Sequence, residues 1–116
     1  MQGKHRVQCK VEGKRMTFGN PYWSNKQKMN CLQRWLIVQS ILYYELSTSI
    51  VTDQVFDANA KQLVQMQKDF KSEAEETEYA YMFYDFDGST GFDLYDRTNK
   101  HDKDYLTHIA NTLTRR

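Results

Sequence analysis

The sequence is short of the residues that mark several classes of protein. It holds one proline, five glycines and two cysteines, Cys9 and Cys31. Two isolated cysteines are too few for a disulfide framework and lack zinc-ligand spacing, so we interpret both as small apolar residues in a reducing cytosol. No apolar run approaches the roughly 20 residues that cross a bilayer, and the first residues lack the apolar segment of a secretory signal. These absences predict a cytoplasmic protein without membrane contact.

The residues that are present suffice for one folded core. The chain has 116 residues, of which 40% are hydrophobic, and its aromatic side chains are six Phe, two Trp and eight Tyr. This composition is typical of a globular domain rather than a disordered segment. The length fits a single domain, 1–116, and is too small for most complete enzymes. We therefore expect one domain without catalytic activity.

Charge is unevenly distributed, although the net charge is only +1. Residues 1–42 carry eight Lys or Arg and one Glu, whereas residues 43–97 carry twelve acids and four bases. A basic segment of this kind can bind nucleic acid through phosphate contacts. The candidate phosphate-binding side chains are Lys10, Lys14, Arg15, Lys26, Lys28 and Arg34. Because no sustained basic run occurs, we favour the alternative that these charges are solvated or face the acidic part.

Two helices joined by a short polar connection are the main prediction of the hydrophobic pattern. Ser24 followed by Gln27 is a capping-box signature, and apolar residues recur at helical spacing from there over about 25–46. Thr52 can cap a second helix, which ends near Asp69. This helix–loop–helix is expected to form the centre of the fold.

Shorter elements are predicted around these two helices. Alternating apolar residues on either side of a Glu-Gly turn indicate a β-hairpin over 5–18, and the aromatic segment 79–84 indicates a short strand. The acidic stretch 71–78 predicts a loop. One helical turn near Leu94 and a last helix capped by Asp102 complete the chain. The predicted fold class is therefore mainly α, of α+β type, with an N-terminal β-hairpin, a short aromatic strand and a C-terminal helix.

An Asp-rich segment, 84–96, resembles three kinds of site. Asp85-x-Asp87-Gly-Ser after an apolar segment resembles the nucleophile motif of the haloacid-dehalogenase phosphatases, but too few residues follow it to build their parallel sheet. Oxygen-bearing residues stand where a calcium loop places ligands, but Thr90 replaces its glycine. The segment 85–88 also resembles the Lys-x-Asp-Gly motif of nucleotidyltransferases. Asp85 stands where that motif has the lysine that is adenylated, so this chemistry is absent. We therefore interpret the segment as a turn that does not hold calcium tightly.

A more extensive resemblance lies at 42–63, about a third of the chain. The segment contains, in order, Leu42-Tyr43-Tyr44-Glu45-Leu46, four residues, Val51-Thr52-Asp53-Gln54-Val55-Phe56-Asp57, five residues and Leu63. It resembles the small N-terminal helical domain of bacterial NAD-dependent DNA ligases, in which an aromatic pair ends one helix and an Asp-rich turn opens the next. The whole chain also resembles small standalone ligase-related proteins carried by phages and prophages.

The resemblance implies a binding site for the nicotinamide mononucleotide half of NAD. Tyr43 matches the aromatic residue that stacks on the nicotinamide, and Tyr44 falls where the family often has His. Asp53 and Asp57 match the two aspartates of the motif. Phe56 falls where Tyr is usual and cannot donate a hydrogen bond. An aromatic face with two carboxylates suits a flat cationic ring and its ribose hydroxyls.

The chain lacks most of the parts that make up those ligases, so ligase activity of this chain alone is excluded. The adenylation lysine, the remaining nucleotidyltransferase domain, the zinc-binding cysteines and the helix-hairpin-helix repeats have no counterpart in the sequence. One hypothesis is a non-catalytic protein that binds NAD or its mononucleotide weakly, or that modulates a partner protein, and that has no other cofactor and no metal. A second is a phage-encoded inhibitor of a host defence or replication protein, such as an anti-CRISPR-type protein, acting by protein contact. A third, with less support, is a nucleic-acid-binding accessory protein.

Overall fold

The computed structural model describes residues 9–12, 15–18, 22–48, 51–88 and 93–114. In this part of the chain the fold is mainly helical. The elements are β1 (Cys9–Glu12), β2 (Arg15–Phe18), α1 (Asn25–Ser40), a π-helical segment (Ile41–Glu45), α2 (Asp53–Asp69), α3 (Lys71–Glu75), α4 (Ala80–Phe83), α5 (Leu94–Arg97) and α6 (Lys100–Thr114). The two strands pair antiparallel, with Cys9 opposite Phe18 and Glu12 opposite Arg15. The remainder of the hairpin expected over 5–18 lies outside the described residues.

Local capping determines where α1 and α2 begin. The Ser24 hydroxyl accepts a hydrogen bond from the Gln27 N–H at 3.2 Å, and the Gln27 side-chain carbonyl accepts one from the Ser24 N–H at 2.8 Å. Both bonds of the predicted capping box are therefore present. The Thr52 hydroxyl accepts from the Val55 N–H at 3.2 Å, and α2 ends at Asp69. The predicted start of α1 and both predicted ends of α2 are confirmed.

The core lies where α1 packs against α2, the π-helical segment and α6. Its largest fully buried side chains come from these elements, from α4 and α5 and from the residue before α4, and they are Tyr79, Phe83, Met29, Leu32, Leu36, Ile37, Ile41, Leu42, Leu63, Met82, Leu94 and Leu106. Full burial of one such side chain contributes about 1.5–3 kcal/mol. The predicted helix–loop–helix is thus the centre of the fold.

The prediction of an aromatic strand at 79–84 is wrong, because this segment contains helix α4. Tyr79, Met82 and Phe83 are buried, whereas Tyr81 and Tyr84 are exposed. Burial at positions i, i+3 and i+4 is the period of a helix and not the alternation of a strand. The β propensity of Tyr and Phe is therefore overridden by packing.

Two further predicted boundaries differ from the structure. The stretch 71–78, expected as a loop, contains the five-residue helix α3, which packs against α1 and α2. Helix α6 begins two residues before Asp102, and the Asn99 side-chain oxygen accepts from the Asp102 N–H at 2.9 Å. Asn99 rather than Asp102 is therefore the capping side chain, since Asn is as good an N-cap residue as Asp.

Cys31 also differs from its interpretation as a free thiol. It is buried on α1 and is disulfide-bonded, while the side chain of Cys9 lies outside the described residues. The cysteines therefore do not support the expected reducing compartment.

Candidate functional site

The aromatic pair of the ligase-like motif lies on the π-helical segment that continues α1. The Leu46 N–H donates to the Ile41 carbonyl at 3.0 Å, which closes one wider turn than an α-helix makes. Tyr43 and Tyr44 are 53% and 39% exposed, and their rings meet edge to face with centroids 4.7 Å apart. Because π-type turns are frequent at functional sites, the position of this pair is consistent with a binding role.

The acidic half of the motif lies at the beginning of α2. Asp53 and Asp57 are exposed and stand one helical turn apart. The positive end of the helix dipole favours the Asp53 carboxylate, and the ion pairs between described side chains include neither aspartate. The Phe56 ring instead faces α1, where it stacks on Trp35 with centroids 6.2 Å apart. The motif thus supplies two exposed carboxylates and one aromatic ring that is engaged in helix packing.

Among the candidate phosphate-binding residues, Lys26, Lys28 and Arg34 lie on α1, and Lys10 and Arg15 lie on the strands. Lys28 places its ammonium 5.8 Å from the centre of the Phe18 ring. Arg34 lies 3.7 Å from the Glu78 carboxylate. The side chains of Lys10, Lys14 and Arg15 lie outside the described part, and Lys26 is half-buried on α1. Two of the three described basic side chains therefore already have contacts within the fold.

The Asp-rich turn is held by Arg97. Its guanidinium donates to both carboxylate oxygens of Asp85, at 2.6 and 3.4 Å, and to Asp93 at 3.1 Å. It also donates to the Met82 carbonyl at 3.0 Å. The hydrogen bond from Arg97 lowers the pKa of Asp85. Gly88 takes a positive φ of 80°, which a residue with a side chain adopts at a cost.

Calcium at about 1 mM is expected to leave the melting temperature of the protein unchanged. This concentration is at the weak end of the affinity range of protein calcium sites. Both Asp85 oxygens would have to release Arg97 before they could bind a cation. Calorimetry with and without calcium tests this, with magnesium as the matched control. A rise of several degrees that a chelator reverses would contradict it.

A cleft of about 650 Å³ lies between the last turns of α2, α3 and the segment 80–86. Its buried or half-buried lining is apolar except for Gln67, and the apolar side chains are Val64, Ala74, Ala80, Phe83 and Phe86. Its exposed edge carries two aromatic and four charged side chains, which are Tyr81, Tyr84, Lys68, Lys71, Glu75 and Asp85. The sequence prediction missed this cleft because it placed a loop and a strand here. The signal for it was the spacing of Tyr81 and Tyr84, three residues apart on one helix face.

The two tyrosines at the edge of the cleft are fixed by polar partners. The Tyr81 hydroxyl donates to the Asp102 carboxylate at 2.6 Å and accepts from the Asn99 N–H at 3.2 Å. Burial, together with the hydrogen bond to Asp102, raises the pKa of Tyr81 to about 12, so its hydroxyl remains a donor at neutral pH. Tyr84 is 79% exposed, and the Arg97 guanidinium lies 5.9 Å from its ring centre.

Comparison with known proteins gives no relative for this chain: no protein-family model matches it, and neither a curated protein nor a solved structure does. None of the described helices is long and apolar enough to cross a membrane. Within the same described residues, no group of three or more His, Cys, Asp or Glu side chains is arranged to hold a metal ion.

Proposed function

We propose that this chain is a small non-catalytic protein that acts by binding a partner protein. The observation that carries the proposal is the exposure of Tyr84 and Tyr81, at 79% and 42%, beside the apolar cleft. Tyrosine is enriched among the residues that dominate binding energy at protein interfaces. A large aromatic ring in water beside an apolar cleft gains more from a protein surface than from solvent.

The contacts of these tyrosines favour binding without large rearrangement. Tyr81 is held by two hydrogen bonds, and Tyr84 lies against Arg97, which is itself bonded to Asp85 and Asp93. Side chains that are already ordered lose less conformational entropy when a partner binds. The resemblance to phage-carried ligase-related proteins favours a bacterial defence or replication protein as the partner, with the chain acting as its inhibitor.

Affinity capture with matched variants tests this function. The wild-type chain, Tyr84→Ser and Tyr105→Ser would each be immobilised and exposed to a bacterial lysate, and the retained protein would be purified for titration calorimetry. Tyr105 is the control because it is also about half exposed but lies on α6, outside the cleft lining. We expect at least a ten-fold rise in Kd for Tyr84→Ser and none for Tyr105→Ser. Equal binding by all three chains, or no retained protein, would contradict the proposal.

A second candidate function is weak binding of nicotinamide mononucleotide at the ligase-like motif. The observation that favours it is that Tyr43, Asp53 and Asp57 are all exposed. An aromatic–cation contact contributes about 0.5–1 kcal/mol, and a charged hydrogen bond about 1.5–3 kcal/mol. After the entropic cost of association, these contacts support a Kd of about 0.1–1 mM.

An NMR titration checks this expectation. Addition of nicotinamide mononucleotide is expected to shift amide signals within 43–57 in the wild-type chain and to leave them unmoved in Asp53→Ala. The control variant is Asp69→Ala, which removes the same charge from the other end of α2. If millimolar ligand moves no signal, or if the shifts persist in Asp53→Ala, this site does not bind the nucleotide.

A further inference from the structure

We infer that the cleft between α2, α3 and α4 binds a short segment of the partner that carries a large apolar side chain next to an acidic one. This inference rests on the proposed function and specifies the chemistry of the partner. Its two parts follow from the apolar lining of the cleft and from the charges at its edge.

The lining of the cleft suits an apolar anchor. Ala74 and Ala80 are its small side chains and give it depth, while Phe83 and Phe86 meet edge to face with centroids 5.0 Å apart and form an aromatic wall. A volume of about 650 Å³ lies within the roughly 300–1,000 Å³ of pockets that enclose small ligands. The cleft therefore has room for a few side chains of an extended segment.

A hydrogen bond between two elements that line the cleft fixes their spacing. The Gln67 side-chain amide on α2 donates to the Phe83 carbonyl at the end of α4, at 3.2 Å. Gln67 also accepts from the buried Gln33 side chain of α1 at 3.4 Å, and Gln33 donates to Thr77 at 3.0 Å. This connected set of polar side chains fixes α2 relative to the 77–83 segment, so the cleft exists before any partner is bound.

The charges at the edge of the cleft favour an acidic residue beside the apolar side chain of the partner that enters the cleft. Lys68 and Lys71 are exposed, and neither forms an ion pair with a described residue. Asp85 is already neutralised by Arg97 at 2.6 Å, which leaves Glu75 as the one lining carboxylate that no described cation pairs. Two lysines against one such carboxylate give this edge a local positive charge.

The local charge is opposite to that of the surrounding sequence, so the cleft and the overall charge pattern predict partners of opposite charge. Residues 43–97 as a whole are acidic, so the overall charge pattern predicts a basic partner. Screening at physiological salt limits the reach of exposed charges to about 8 Å. A side chain seated in the cleft is therefore governed by Lys68 and Lys71 more than by distant acids.

Selection from a random peptide library displayed on phage tests the inference directly. Peptides would be selected on the wild-type chain and then synthesised for binding measurements. The charge variant Lys68→Glu/Lys71→Glu would be compared with Lys61→Glu/Lys100→Glu, a control with the same change in net charge outside the cleft lining. Ala80→Trp would fill the cleft, and circular dichroism would establish that each variant is folded.

We expect selected peptides to share an aromatic or long aliphatic residue within three positions of Asp or Glu. The Kd is expected to rise at least ten-fold in Lys68→Glu/Lys71→Glu, to remain within two-fold in the control, and to rise beyond measurement in folded Ala80→Trp. Enrichment of basic peptides, absence of any enriched peptide, or binding that neither cleft variant weakens would overturn the inference.

Two further outcomes separate this inference from its premise. A captured partner that needs Tyr84 but is indifferent to both cleft variants would support the proposed function and overturn the cleft chemistry. A concentration-dependent dimer that Ala80→Trp dissociates would assign the cleft to a second copy of the chain and would also overturn the inference.

Discussion

Replacement of Phe83 by alanine is expected to lower the free energy of unfolding by about 3–5 kcal/mol, and Met82→Ala by about 2–5 kcal/mol. Phe83 is 1% exposed and Met82 is fully buried. Each truncation removes apolar burial and leaves a cavity beneath α4. Urea unfolding at equilibrium measures both effects, provided that the dependence on denaturant stays unchanged.

The pair Met82 and Tyr84 separates a helix from a strand in this segment. In a strand the two side chains would lie on the same face, because residues i and i+2 share a face. In the helix observed here Met82 points into the core and Tyr84 into solvent. We therefore expect Tyr84→Ala to change stability by less than about 0.5 kcal/mol. Similar losses of stability in Tyr84→Ala and Met82→Ala would contradict α4.

Asn59→Ala is expected to lower the free energy of unfolding by about 2–3 kcal/mol. Asn59 is fully buried on α2, where its side-chain oxygen accepts from the Met16 N–H at 2.7 Å and its amide donates to the Val55 carbonyl at 2.8 Å. Its removal leaves the amide of a buried strand residue without this acceptor, and the desolvation of that donor is no longer compensated.

Hydrogen exchange locates this effect on the strand. The Met16 amide is expected to exchange slowly in the wild-type chain and much faster in Asn59→Ala. Gln62→Ala is the matched control, since Gln62 donates to the carbonyl of the same residue, but at 3.4 Å, and its loss should cost less than about 1 kcal/mol. Unchanged exchange at Met16 in Asn59→Ala would show that this bond does not hold β2 against α2.

The features predicted correctly from the sequence are those that local interactions decide. The capping side chains of Ser24 and Thr52 act within three residues of themselves, so sequence spacing alone indicates them. The aromatic segment at 79–84 failed because its residue types favour a strand, whereas its buried positions follow the packing of α4 onto the core. That packing depends on residues distant in sequence.

The ligase-like motif and the cleft also differ in how far short-range sequence pattern indicates them. The positions of Tyr43 at the end of one helix and Asp53 at the start of the next follow from short-range pattern, whereas the packing of Phe56 on Trp35 does not. The charge of the cleft edge could not be predicted, because its two lysines outweigh its carboxylates only when Arg97 neutralises Asp85.

The π-helical segment Ile41–Glu45 gives the last turn of the helix one residue more than an α-helical turn holds. Because the wider turn absorbs this residue, deletion of one residue here would let α1 continue with ordinary hydrogen bonds and would leave the direction of the chain after it unchanged. The wide turn on which Tyr43 and Tyr44 stand would be lost. In homologous chains, a single gap at this turn would therefore mark the sequences that keep the helix but have given up the backbone that presents this aromatic pair.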